Sequence, residues 1–247
     1  MPRRLSLLPF LFASLGAVLC AQLIGRDPRF AVPLSVVGAL LMVPAIIGRW
    51  RTRQLLMSGD AERVIGAWEG AFGGVPHPET MAPLLKATAY ASYGWIEAGR
   101  RALNRAVKGP AWDAAIEQRL YIETLLDVFE GDRESALAKA RALEAMPAPA
   151  TGLLARKRVA RLRRGLAAFA RAFAHAGREG DAKVLKKAAG ASPLVHWAMR
   201  YAGAILAVDK GRSAEALALI AGAPSWPQES AFREYHDELL QHARPAA

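Results

Sequence analysis

Histidines and carboxylates are the side chains best able to do chemistry in this chain, and their spacing argues against it. His77, His175, His196, His236 and His242 are the five histidines, and none stands in an H-E-x-x-H or comparable ligand pattern. The densest group is His236-Asp237-Glu238 with His242, and Phe232, Tyr235 and Leu239 fall on the other side of the same segment. That is the pattern of a solvated helix face. Gly177-Arg178-Glu179-Gly180 followed by Lys183 lacks the G-K-[ST] ending and preceding strand of a phosphate loop. Cys20 is the single cysteine, so neither an intrachain disulfide nor a cysteine zinc site is open to one chain. No nucleophile elbow or paired carboxylates stand out. The expectation is a binding protein, not an enzyme, with no catalytic residue, metal ligand or cofactor.

Charge gives the next signal. The formal net charge is +11, which suits an anionic leaflet and would equally suit nucleic acid. The sharpest cluster is Arg156, Lys157, Arg158, Arg161, Arg163 and Arg164. At about 100° per residue, Ala155, Val159, Leu162, Leu166, Phe169 and Phe173 form one apolar stripe, and all six bases fall outside it. They are either the solvated face of an amphipathic helix or a surface held against anionic lipid. Nucleic acid is less favoured, because aromatic residues do not interleave with the bases and no recognition motif appears.

The elements that must position these residues are helices. From Arg49 onward alanine, leucine, arginine, lysine and glutamate dominate, all strong helix formers, and no run alternates as a strand does. Breaks are expected at 73–78, 109–110, 147–149, 190–193 and 223–227, where glycine and proline cluster. Thr80 and Ser192 are expected to open helices. About nine helices should follow residue 49.

Ahead of them lie two uncharged apolar runs, 5–24 and 30–47, separated by Gly25-Arg26-Asp27-Pro28-Arg29. Runs of 20 and 18 residues can each cross a hydrocarbon core of roughly 30 Å as a helix, and so short a link demands a hairpin. Residues 1–48 read as a membrane anchor and 49–247 as one further domain. A cleaved signal peptide fits less well, because the first run is long and Leu19 occupies a position before Ala21 where a small residue is wanted. Arg3, Arg4, Arg49, Arg51 and Arg53 flank the outer ends, against Arg26 and Arg29 in the link. The positive-inside rule then places both termini in the cytoplasm. Trp50 suits the headgroup level. Pro33 suits a first helical turn, and Pro44 should kink the exit. The second run is expected to continue towards Met57 and supply the first helix of the following domain.

The breaks repeat. Gly59, Val64, Trp68, Ala71 and Pro76 give one copy of a pattern. Gly131, Ala136, Ala140, Leu143 and Pro147 give another, and Gly211, Ala216, Ile220, Ala223 and Pro227 a third. Gly177, Ala182, Ala189 and Pro193 make a weaker copy, and around Gly94 the register slips by one. In this turn glycine, small crossing residue and terminal proline the chain resembles the tetratricopeptide repeat family, over about 49–247. The first-helix signature of that family is largely missing, and the 46-residue step from Gly131 to Gly177 needs extra helical length.

The resemblance implies an all-α solenoid of antiparallel helix pairs whose first helices, about 80–93, 113–130 and 193–209, line a concave groove. Lys86, Tyr90, Arg119, Arg200 and Tyr201 would be exposed there, facing an acidic or carboxylate-ended peptide. The functional expectation is a scaffold or adaptor holding a protein partner at the cytoplasmic face of a bacterial inner membrane, the arginine and alanine richness suggesting a GC-rich bacterial genome. The alternatives are a periplasmic repeat protein assisting envelope assembly or secretion, and a basic surface that binds anionic lipid or nucleic acid.

Overall fold

The computed structural model describes residues 22, 29, 31–149 and 152–243, in two units, Met1–Thr52 and Arg53–Ala247. All regular structure among the described residues is helical. Apart from Gln22, the first apolar run lies outside the described residues. The second belongs to helix α1 (Ala31–Met57), which contains Pro44. Most side chains of 31–42 are likewise outside those described, whereas Val36, Val43, Ile46, Ile47 and Trp50 are exposed. Among the described residues no helix is long and apolar enough to cross a membrane.

The second unit begins in the last turn of α1 and continues through eleven helices among the described residues. These are α2 (Ala61–Phe72), α3 (Pro78–Ser92), α4 (Ile96–Arg105), α5 (Pro110–Ala114), α6 (Ile116–Glu130), α7 (Arg133–Ala145), α8 (Leu153–Phe173), α9 (Asp181–Ala191), α10 (His196–Asp209), α11 (Ser213–Ile220) and α12 (Ala231–Ala243). Each expected glycine–proline cluster falls at a helix boundary. Thr80 does not open a helix. His77 is the residue before α3, whose first position is Pro78, and the Thr80 hydroxyl donates to Val107 O at 2.8 Å. Asp60, Asp132 and Ser230 cap helices by side chain, accepting from Arg63 N, Ser135 N and Phe232 N.

Four turns between paired helices close alike. Trp95 N donates to Tyr90 O, Asp132 N to Asp127 O, Ala176 N to Arg171 O and Arg212 N to Ala207 O, the long-range bond of a Schellman motif. The left-handed residue is Gly94, Gly131, His175 or Gly211, with φ of 73°, 81°, 52° and 69°. His175, not Gly177, therefore holds the turn position in the third of these pairs. Gly177 is small for another reason: a Cβ there would overlap the side chain of buried Leu206.

Helices α4, α7, α9 and α11 pack against the helix before them, and α3, α6, α8 and α10 also pack in that order along the chain. Small residues allow the close crossings. At Gly165 of α8 an added Cβ would overlap Ala188 Cβ of α9. Gly165→Ala should destabilise by about 1–3 kcal/mol through overpacking, partly offset by roughly 1 kcal/mol of helix propensity. Adding Ala188→Gly should recover most of the loss in chemical denaturation; an additive double variant would refute this contact as the cause.

The chain after α11 returns to its own beginning. Ser230 Oγ donates to Tyr93 O at 2.7 Å, and Ala231 N to Gly94 O at 2.9 Å. A Cβ at Gly59 would lie 2.6 Å from Pro224 Cγ, and Trp197 Nε1 donates to Met57 O at 2.8 Å. Helix α12 then lays Phe232 and Tyr235 against Phe129, with ring centroids at 5.1 and 6.2 Å. Phe169, Phe173, Tyr201 and Trp226 complete this aromatic core.

Candidate functional site

That return path decides what happens to the expected groove. Tyr201 is fully buried. Its hydroxyl is 2.7 Å from His236 Nδ1 and accepts from Trp226 Nε1 at 2.7 Å, and burial pushes its pKa up. Arg200 is half-buried: it donates to Leu219 O and Ala218 O at the end of α11 and lies over the Trp197 ring. Arg119 lies 4.2 Å over Trp112. The expectation that Tyr201 and Arg200 face a partner is corrected, because Tyr201 is buried under the C-terminal segment and carbonyls of α11 take the Arg200 guanidinium, whereas Arg119 is half-buried and its Nε has no hydrogen-bond partner among the described residues.

Lys86 and Tyr90 are different. Both line a cleft of about 910 Å³ between α3 and α4, closed on one side by Gln228 and Glu229. Proline at 78 and helix-forming residues after it set α3, and the Gly94 turn folds α4 back so that Arg101 and Arg105 reach the same cleft. Tyr90 stacks on Trp95 at 5.8 Å and donates to Glu62 Oε1 at 2.7 Å. Burial first and the Glu62 bond second raise the Tyr90 pKa to about 12, so it stays a donor at neutral pH. Lys86 pairs with Glu69 at 3.3 Å and Arg101 with Glu97 at 3.3 Å. Arg105 is exposed and pairs with no carboxylate among the described residues. Trp95 Nε1 is buried and has no hydrogen-bond partner among the described residues. Arg101, Arg105 and Trp95 went unnoticed in the sequence; only the turn at Gly94 could have pointed to them.

A second cleft, of about 600 Å³, is apolar: Met81, Tyr121, Leu143, Val159 and Leu162 line it, with Arg163 and Glu117 at its side. Arg163 separates here from the other bases of its cluster. It is buried, donating to Met146 O at 2.6 Å, Pro147 O at 3.1 Å and Glu117 Oε1 at 3.0 Å. It caps the end of α7, so its expected place on an anionic-binding surface is corrected. Arg156, Lys157, Arg158, Arg161 and Arg164 are exposed.

The histidines stay apart. His236 meets Tyr201, His175 lies 2.9 Å from Asp209 Oδ1, and His196 contacts Ala189 O. Among the described residues no three ligand-type side chains are placed to hold a metal ion. No family model, curated protein or solved structure matches the chain.

Proposed function

We propose that this chain is a membrane-anchored helical-repeat scaffold of the tetratricopeptide kind, which holds an extended segment of another protein in the cleft around Tyr90 and Trp95. The observation that carries the reading is that cleft: an aromatic floor, and at its edge the base Arg105, which pairs with no carboxylate among the described residues. A segment offering backbone carbonyls and one carboxylate would complement it. Stacked helix pairs present such surfaces to other chains far more often than they support chemistry. The anchor rests on the uncharged runs 5–24 and 30–47, with five arginines at the outer ends favouring cytoplasmic termini, and the exposed apolar side chains of α1 fit a lipid-facing helix.

A photo-crosslinking residue in place of Lys86, in living cells, tests it. One discrete protein adduct is expected, weakened about tenfold when Arg101→Glu and Arg105→Glu are combined. An absence of any discrete adduct, or one indifferent to the charge reversals, would remove the cleft as the binding site.

A further inference from the structure

We infer that the N-terminal half of α8 is a second attachment point, a foot that docks on an anionic bilayer surface. Leu153 and Leu154 are 74% and 85% exposed, more than any other large apolar side chain described. They open α8 behind Gly152, with no acidic residue in the first turn. Placed at about 100° per residue, Leu153, Leu154, Lys157, Arg158, Arg161 and Arg164 share an arc of about 140°. That arc lies opposite Val159, Leu162 and Leu166, which face the protein. Arg163, at the margin of the buried stripe, turns inward instead.

The two exposed kinds of side chain select the partner together. Guanidinium and ammonium groups bind phosphate, which both lipid headgroups and nucleic acid offer. A bilayer supplies acyl chains directly beneath the phosphates, which suits leucines exposed beside bases on one face of a helix. On the element packed nearest, Glu144 lies beside Arg156 and Arg164 in a small recess, leaving the local charge strongly positive. Each base near an anionic surface strengthens attachment about fivefold.

The inference rests on the proposed membrane attachment, and the experiment separates the two. Cys20 is the only cysteine, so a C20S chain carrying Leu154→Cys takes one environment-sensitive fluorophore. The full chain is placed in nanodiscs of phosphatidylcholine alone or with phosphatidylglycerol. A blue-shifted probe quenched by doxyl-labelled lipid is expected only with phosphatidylglycerol. It should revert in high salt, and when Arg156, Lys157, Arg158, Arg161 and Arg164 are all changed to Gln, with helicity and melting unchanged. A chain that never enters the discs would sink the anchor. A water-like probe in loaded discs of both compositions, or a response to added RNA in place of lipid, would overturn the foot while leaving the anchor standing.

Discussion

Replacing Phe232 by alanine should cost the domain about 3–5 kcal/mol, the range for removing a buried aromatic ring. Phe232 is fully buried, with ring centroids 5.1 Å from Phe129, 4.9 Å from Tyr201 and 4.9 Å from Trp226. It also stands at the start of α12, two residues past Ser230, whose hydroxyl holds the carbonyl of Tyr93. The loss should therefore concentrate where the C-terminal segment meets the first pairs. Melting should fall by about 10 °C, taking roughly 2–4 °C per kcal/mol for a unit of this size. Amide exchange should rise at Ala231, whose N–H bonds to Gly94 O, before it rises in α8. Phe232→Leu, which keeps most of the volume, should cost far less. Equal losses for both variants would show that the ring does not seat the segment.

Asp127→Asn should be the next most damaging change, at about 2–3 kcal/mol. The Asp127 carboxylate is buried and bonded by Arg100 at 2.6 Å, Lys139 at 2.7 Å and Ser135 at 2.8 Å, tying α4, α6 and α7 together. Removing one member of such a group leaves buried charge uncompensated, for about 3–5 kcal/mol. The figure here is smaller because Arg100 and Lys139 keep some solvent and also reach Glu130 and Glu123. Burial alone would raise the Asp127 pKa, but the bonds from Lys139, Arg100 and Ser135 outweigh it and hold the group below the usual carboxylate range. A depressed folded pKa means stability that is present above about pH 4 and lost as pH falls through the folded value. Asp181, held by two bonds from Arg171, shifts the same way. Acid unfolding should therefore be shallower in Asp127→Asn than in the wild type, and parallel curves would show that this carboxylate is not among the groups responsible.

Helix boundaries were readable because proline and glycine act locally. Pro78 and Pro110 open helices, and Gly94, Gly131 and Gly211 occupy turns that need a positive φ. His175 hid its turn because nothing in composition marks a histidine as left-handed, and attention fell on Gly177 two residues away. The candidate site was legible only in part. Lys86 and Tyr90 share a cleft with Arg101 and Arg105, which reach it through a turn and belong to a different run of sequence. Arg200 was misread because carbonyls of the next helix take its guanidinium, and Tyr201 was misread for a non-local reason. A repeat array read from spacing alone has an open inner face, and no spacing rule says that the last helix folds into it. The bases of α8 divide for a geometric reason: Arg163 stands close enough to the buried stripe to reach the carbonyls of Met146 and Pro147, while Arg161 and Arg164 do not.

The bonds from Trp197 to Met57 and from Ser230 to Tyr93 span 140 and 137 residues. A linear stack of repeats can gain stability one unit at a time and start from any of them. Here Met57 and Tyr93 wait for donors made 140 and 137 residues later, and contacts that distant slow folding. A chain lacking the segment after α11 would keep Gly59 and Tyr93 uncovered and the aromatic core around Phe129 open to solvent. Completion of α12 is thus the step at which a nascent chain covers this aromatic core, and synthesis order sets the interval over which the core needs protection.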